Sequence, residues 1–325
     1  MNHLKGINLS NNVIVMANGT SRGGRSIKSV DKLRSQKEMT NWVFDENQLP
    51  ADSCFGLRHA SVWASRYLSR GESKFVAVGG DGTMNALLNG IISACKKHRK
   101  PIDQMTIGAV GTGSSNDFHK PFNGKTIHGL PCKIDFNQTR SQDIGQIKNL
   151  DTGEARYFLL NCGIGLTANA NRYFSSGHRL ITRLKKISVD LAIAFTAIKS
   201  VLGHTNTPVT IQFDEEEKKN YLLTNLALLK NPHVAGSFKY PSLVGHDDRK
   251  LAVFLSHDQS RFRFFKTLLG LLRQSFDESH QALKTTVSKV TIKCDSEIAV
   301  ECDGEVELGK HFEISILKER INVCL

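Results

Sequence analysis

The chain has 325 residues, enough for two domains, and its 40% hydrophobic and 23% charged residues are those of a folded globular protein. Seven scattered cysteines (54, 95, 132, 162, 294, 302 and 324) form no C-x-x-C pair, which excludes a disulfide framework and a thiolate zinc site and points to reduced thiols in a cytosolic setting. No long apolar leader and no uncharged apolar run of membrane-spanning length is present, so neither a signal peptide nor a transmembrane span is expected, while a net charge of +12 calls for an anionic partner.

In chain order, Val13 to Ala17 is an apolar, strand-length run. The polar turn Asn18-Gly19-Thr20-Ser21-Arg22-Gly23-Gly24 follows it, and its hydroxyls and guanidinium suit phosphate oxygens. Leu57 to Leu68 reads as a helix. Lys74 to Val78 reads as a strand that runs into Gly79-Gly80-Asp81-Gly82-Thr83-Met84-Asn85, and Met84 to Lys97 as a helix burying Leu87, Leu88, Ile91, Ile92 and Cys95. Glycines at a strand-to-helix turn let a ligand approach the backbone, and peptide N–H groups at a helix start attract anions. Asp81 adds a carboxylate beside that anion, which implies a mediating Mg²⁺. Met105 to Val110 is a further strand, followed by Gly111-Thr112-Gly113-Ser114-Ser115-Asn116-Asp117-Phe118. Parallel strands carrying such turns at their C-terminal ends open onto one ligand crevice.

After about Ile127 the pattern changes. Short alternating or β-branched runs at 209–213, 222–229, 251–255, 287–293, 297–301 and 312–317 predict antiparallel strands. Two amphipathic helices interrupt them. One spans 179–202, with Leu180, Leu184, Ile187, Leu191 and Ile198 on a stripe and Arg179, Arg183, Lys185 and Lys186 near its start. The other spans 261–276, mixing Arg261, Arg263, Lys266 and Arg273 with Phe262, Phe264, Phe265, Leu268 and Leu269. Taken singly, each stripe reads as core-facing; together with the net charge they suit an anionic membrane surface. The basic residues do not interleave with stacking aromatics, so nucleic acid is not expected.

Together these segments resemble the catalytic domain of the diacylglycerol kinase family, which includes sphingosine, ceramide and bacterial lipid kinases. The resemblance rests on G-G-D-G-T-M-N-A-L-L-N-G from Gly79, N-G-T-S-R-G-G from Asn18 and G-T-G-S-S-N-D-F from Gly111. It continues through Tyr157 to Gly165, Pro241 to Leu251 and Glu301-Cys302-Asp303-Gly304-Glu305. Gly19, Arg22, Ala86 and Arg249 depart from the family pattern, the last standing where glycine is usual. The resemblance implies an α/β fold: a three-layer α/β nucleotide-binding domain over 1–126, a β-rich sandwich domain over 127–307, and a return of 308–325 to the first domain. It implies ATP held by Gly79, Gly80, Asp81, Gly82, Thr83, Met84, Asn85 and Thr112, with Asn18 and Ser21 from the first turn. Asp81 would serve Mg²⁺.

The resemblance further implies Glu305 as the base toward a lipid hydroxyl, with Asp303 beside it; read alone, Asp303-Gly304 is a hairpin turn. A second, structural Mg²⁺ is implied at Asp248 with the carbonyls of Gly245 and Lys250. The expected protein is a cytoplasmic lipid kinase acting at the inner membrane face. A soluble-acceptor kinase resembling NAD kinases and a non-catalytic binding module are the alternatives. Diacylglycerol, phosphatidylglycerol, a sphingoid base and ceramide all suit as acceptor.

Overall fold

The computed structural model describes residues 12–18, 27–35, 41–44, 57–122, 124–276 and 279–325. The chain divides into two compact units, one of Met1–Gly113, Phe122–Ser141 and Ile321–Leu325, the other of Ser114–Pro121 and Gln142–Arg320.

In the first unit the apolar runs become parallel strands. β1 (Val13–Ala17) lies between β2 (Trp42–Phe44) and β3 (Lys74–Gly79), and β3 pairs in parallel with β4 (Thr106–Gly111). α1 (Ile27–Arg34) supplies Val30 and Leu33 to the sheet face that carries Val13, Val15, Val76 and Val78. α2 (Leu57–Leu68) packs on α3 (Asp81–His98), and α3 packs on the strands without joining that cluster, so it covers the opposite face. Gly90 makes the α2–α3 approach possible: a Cβ there would stand 2.6 Å from the Ala60 carbonyl oxygen. The short strands β5 (Thr126–Ile127) and β6 (Leu130–Lys133) form a ribbon whose β6 runs antiparallel to β4. The chain end returns to β4 through Asn322 and Val323. This return is shorter than 308–325, because Leu308 to Ser315 are still paired in the second unit.

The second unit is β-rich and antiparallel. β7 (Thr139–Asn149) pairs with β8 (Ala155–Phe158), and β9 (Asn161–Gly165) runs between β11 (Lys219–Leu229) and β16 (Lys289–Cys302). β10 (Thr207–Phe213) also pairs with β11 and β16, and β14 (Leu251–His257) links β11 to β15 (Ala282–Val287). A two-stranded ribbon, β12 (His233–Val234) and β13 (Phe238–Lys239), stands apart, and β17 (Glu305–Cys324) follows β16 as a hairpin. Alternation along β11 sends Leu226 and Leu228 into one apolar core. Ala227 and Leu229 enter a second core with Phe264, Leu268 and Leu271, so a helical layer covers that face.

The helices are α4 (Leu166–Ser175), α5 (Arg179–Ile187), α6 (Val189–Gly203) and α7 (Arg261–Leu272). The single helix expected over 179–202 is broken at Ser188, whose backbone is extended and whose Oγ accepts from Leu191 N–H to cap α6. From Lys289 on, the runs at 287–293 and 297–301 join into one strand with a register shift between Lys293 and Ile298, while Val287 ends β15. No described helix is long and apolar enough to cross a membrane.

Candidate active site

The first unit sets its glycine turns side by side. β3 lies between β1 and β4 in parallel, so the C-terminal ends of the three strands share one edge of the sheet. Backbone bonds tie them: Asn18 N–H donates to Val78 O at 2.8 Å, and Thr112 N–H to Gly79 O at 2.8 Å. A Cβ on Gly80 would stand 3.1 Å from Gly113 Cα, and one on Gly79 would stand 2.2 Å from Thr83 Oγ1, so this packing requires the absence of side chains. The Asn18 amide donates to Thr83 Oγ1 at 3.2 Å. α3 opens on Asp81 with Gly80 as its N-cap and no side-chain cap, leaving its positive end to an anion. Met84 and Asn85 are buried in the first turns of α3, Gly82 is half-buried, and Thr112 Oγ1 is buried with no hydrogen-bond partner among the described residues. The residues present fit an anionic phosphate group, and Asp81 is half-buried at the first position of α3. Ser21 lies outside the described residues.

Residues 12–153 match the diacylglycerol kinase catalytic domain.

The chain is similar to two curated relatives. The chain is 24% identical over 214 residues to "Putative lipid kinase YtlR" of Bacillus subtilis (strain 168), a match covering 62% of this chain and 64% of that one. It is 27% identical over 177 residues to "Diacylglycerol kinase" of Staphylococcus carnosus (strain TM300), covering 53% of this chain and 50% of the other. Thus less than two thirds of either relative's length is matched. A crystal structure of a diacylglycerol kinase from Bacillus anthracis str. Sterne superimposes over 96% of both chains with a TM-score of 0.62 at 15% identity, which establishes the fold.

In the second unit the acidic motif that resembles the diacylglycerol kinase D-G-E is a fixed hairpin. Cys302 pairs with Glu305, and the two loop residues Asp303 and Gly304 both have positive φ (47° and 98°), the arrangement of a type I′ turn. Three clamps hold it. Asp303 Oδ1 accepts from Leu160 and Asn161 N–H at 3.0 Å each, and Oδ2 from Leu159 N–H at 2.9 Å. Glu301 Oε1 accepts from Gly304 N–H at 2.5 Å, and Asn171 Nδ2 donates to Gly304 O at 2.9 Å. Glu305 itself is exposed. Asp303 therefore has a use different from the expected one beside the base: it is buried and spends both oxygens on the 159–161 turn.

Glu301 was not singled out for a role in the sequence, yet it is the most perturbed acid here. Burial pushes its carboxyl up to about 8; the Gly304 N–H opposes this, and the charges of Asp303, Asp117 and Glu305 add to it. The folded protein then holds a proton that the unfolded chain releases above its ordinary value of 4.5. This contribution to stability is complete below 4.5 and is lost as pH rises through about 8. Glu301→Gln, which cannot ionise, is expected to flatten the decline of melting temperature across that window. Parallel wild-type and variant curves would contradict it.

The N-D-F turn of the third motif is also held. Asp117 Oδ1 bonds Lys120 Nζ at 2.8 Å, both its oxygens lie 3.2 Å from Gly236 N–H, and Asn231 Nδ2 donates to Asp117 O at 3.0 Å.

The donors expected to hold the second Mg²⁺ converge on a side chain instead. Lys230 Nζ lies 2.8 Å from Asp248 Oδ1, 2.9 Å from Lys250 O and 3.0 Å from Asp143 Oδ2. Gly245 contributes its N–H rather than its carbonyl, donating to Asp248 Oδ2 at 2.7 Å. With an ammonium already inside the donor set, these residues do not fit a divalent ion, and among the described residues no three His, Cys, Asp or Glu side chains group to hold one.

The stripe of α5 and α6 faces outward, and that of α7 is divided. Ile187, Leu191, Ile198, Leu202 and Phe262 are 49–76% exposed, while α7 turns Phe264, Leu268 and Leu271 inward. The core-facing reading is therefore corrected for the 179–202 stripe, while in α7 it holds for Phe264 and Leu268 and not for Phe262, Phe265 and Leu269.

Proposed function

We propose that this chain is an ATP-dependent lipid kinase that transfers a γ-phosphate to a hydroxyl of a membrane lipid. The observation that carries the reading is Glu305, an exposed carboxylate on a hairpin held rigid by Asp303, Glu301 and Asn171, in a chain whose residues 12–153 match the diacylglycerol kinase catalytic domain. Gly79 to Asn85, Thr112 and Asn18 would hold ATP, and Asp81 the Mg²⁺ that offsets phosphate charge when bound. Glu305 would accept the proton of the lipid hydroxyl, an alcohol too weakly acidic to attack unaided. Recovery of the γ-phosphate in the lipid fraction, and not on NAD or in water, tests this reading against both alternatives.

The acceptor resides in a bilayer, and the outward faces of α5, α6 and α7 match that location. They combine exposed Ile187, Leu191, Leu202 and Phe262 with exposed Arg179, Arg183, Arg261, Lys266 and Arg273. Exposed apolar side chains together with exposed positive charge on the same helices suit an anionic interface. Co-sedimentation with vesicles is expected to favour anionic over neutral lipid and to weaken with added salt, because salt screens the charges. Equal binding to both vesicle types, or none to either, would count against peripheral attachment.

A further inference from the structure

We propose that the Lys230 ammonium is a built-in replacement for a divalent cation in the 241–250 loop, so that this loop keeps its shape without metal.

The geometry of the second unit supports this in three ways. First, Lys230 is 1% exposed although it is charged and directly follows the last residue of β11, and it bonds only oxygen: two carboxylates and a main-chain carbonyl, at 2.8–3.0 Å. Two carboxylates and a carbonyl form the hard-oxygen set that would suit Mg²⁺ or Ca²⁺. Second, the surrounding charge already exceeds neutrality. Asp143 Oδ1 accepts from Arg320 Nε at 2.8 Å and lies 3.7 Å from Arg249 Nε. Three cationic side chains thus serve Asp143 and Asp248, and a further divalent ion would meet repulsion.

Third, the backbone keeps the shape of a glycine loop while an arginine occupies it. Arg249 has φ of 63°, in the left-handed region where glycine is favoured. Its N–H donates to Asp143 Oδ2 at 2.7 Å and its guanidinium to Leu317 O at 2.8 Å. The loop therefore keeps at position 249 a backbone conformation that glycine favours, and closes it with side-chain cations.

The consequence reaches the motif turns. Lys230 and Asn231 N–H both donate to Leu160 O, beside the amides that Asp303 holds, and Asn231 also grips Asp117 O. An ammonium fixed by covalent attachment holds this junction at any metal concentration. Any Mg²⁺ requirement of the protein then comes from the nucleotide alone.

The proposal is independent of the lipid kinase reading, and its test uses neither nucleotide nor lipid. Thermal unfolding is followed in EDTA and in millimolar Mg²⁺ or Ca²⁺, in an Asp81→Asn background so that the nucleotide metal does not contribute. With Lys230 present, the melting temperature is expected to be the same in all three. Lys230→Ala leaves two acids without their buried partner and is expected to melt lower by on the order of 10 °C in EDTA. Millimolar divalent ion is expected to restore part of that loss by entering the vacated oxygen set. A melting temperature with Lys230 present that EDTA lowers would overturn the proposal. So would a destabilised Lys230→Ala protein that divalent ions do not rescue. If Lys230→Ala does not fold, the EDTA comparison with Lys230 intact decides by itself.

Discussion

Glu305→Gln is expected to lower phosphoryl transfer to lipid by ~10²–10⁴, the usual loss when a general base is removed, while ATP affinity stays near wild type. The amide preserves the size of the side chain but cannot accept a proton. The hairpin does not depend on this carboxylate: its clamps are Asp303, Glu301 and Asn171, so the variant keeps the turn. Because phosphoryl transfer relies strongly on positioning, the size of the drop measures how much base assistance this protein uses. Steady-state turnover together with calorimetric ATP titration reads both quantities. Wild-type turnover in Glu305→Gln would remove Glu305 as the base. Asp303 would be a poor substitute, since its oxygens are engaged by three backbone amides.

Gly82→Asp is expected to abolish detectable Mg·ATP binding in a folded protein. Gly82 lies in the first turn of α3, behind an N-cap that offers no side chain. A side chain there blocks the approach of phosphate to the backbone, and a carboxylate repels it at the positive end of the helix. Calorimetric titration of Mg·ATP checks it, with melting temperature as the control for folding. Unchanged affinity would take Gly79 to Asn85 out of the nucleotide site. Gly79→Ala is a milder companion, because its Cβ would displace Thr83, which Asn18 contacts.

Local chemistry was legible from the chain. β1 and α2 match their expected bounds, because each is an uninterrupted apolar or periodic run. The turn after β3 is marked by consecutive glycines, and the hairpin by Asp303-Gly304, where both residues take positive φ. Features made by distant partners were not legible. Lys230 looks like the end of an apolar strand, and its acids lie 87 and 18 residues away. The role of Asp303 depends on amides more than 140 residues upstream. Periodicity marked the stripe of α5 and α6 but carries no information on which side is covered, and a single capping serine hid the break between them. Arg249 shows the limit of motif reading: the residue type departs from the pattern while the backbone conformation does not.

The central claim is that this chain moves the γ-phosphate of ATP onto a lipid hydroxyl. The most direct measurement incubates the protein with γ-labelled ATP, Mg²⁺ and anionic vesicles carrying a panel of hydroxyl-bearing lipids, followed by mass spectrometry of the extracted lipid. The account predicts one labelled phospholipid product that disappears with Glu305→Gln and with Gly82→Asp. Label found only on a soluble acceptor or in free phosphate, with every lipid unchanged, would contradict it.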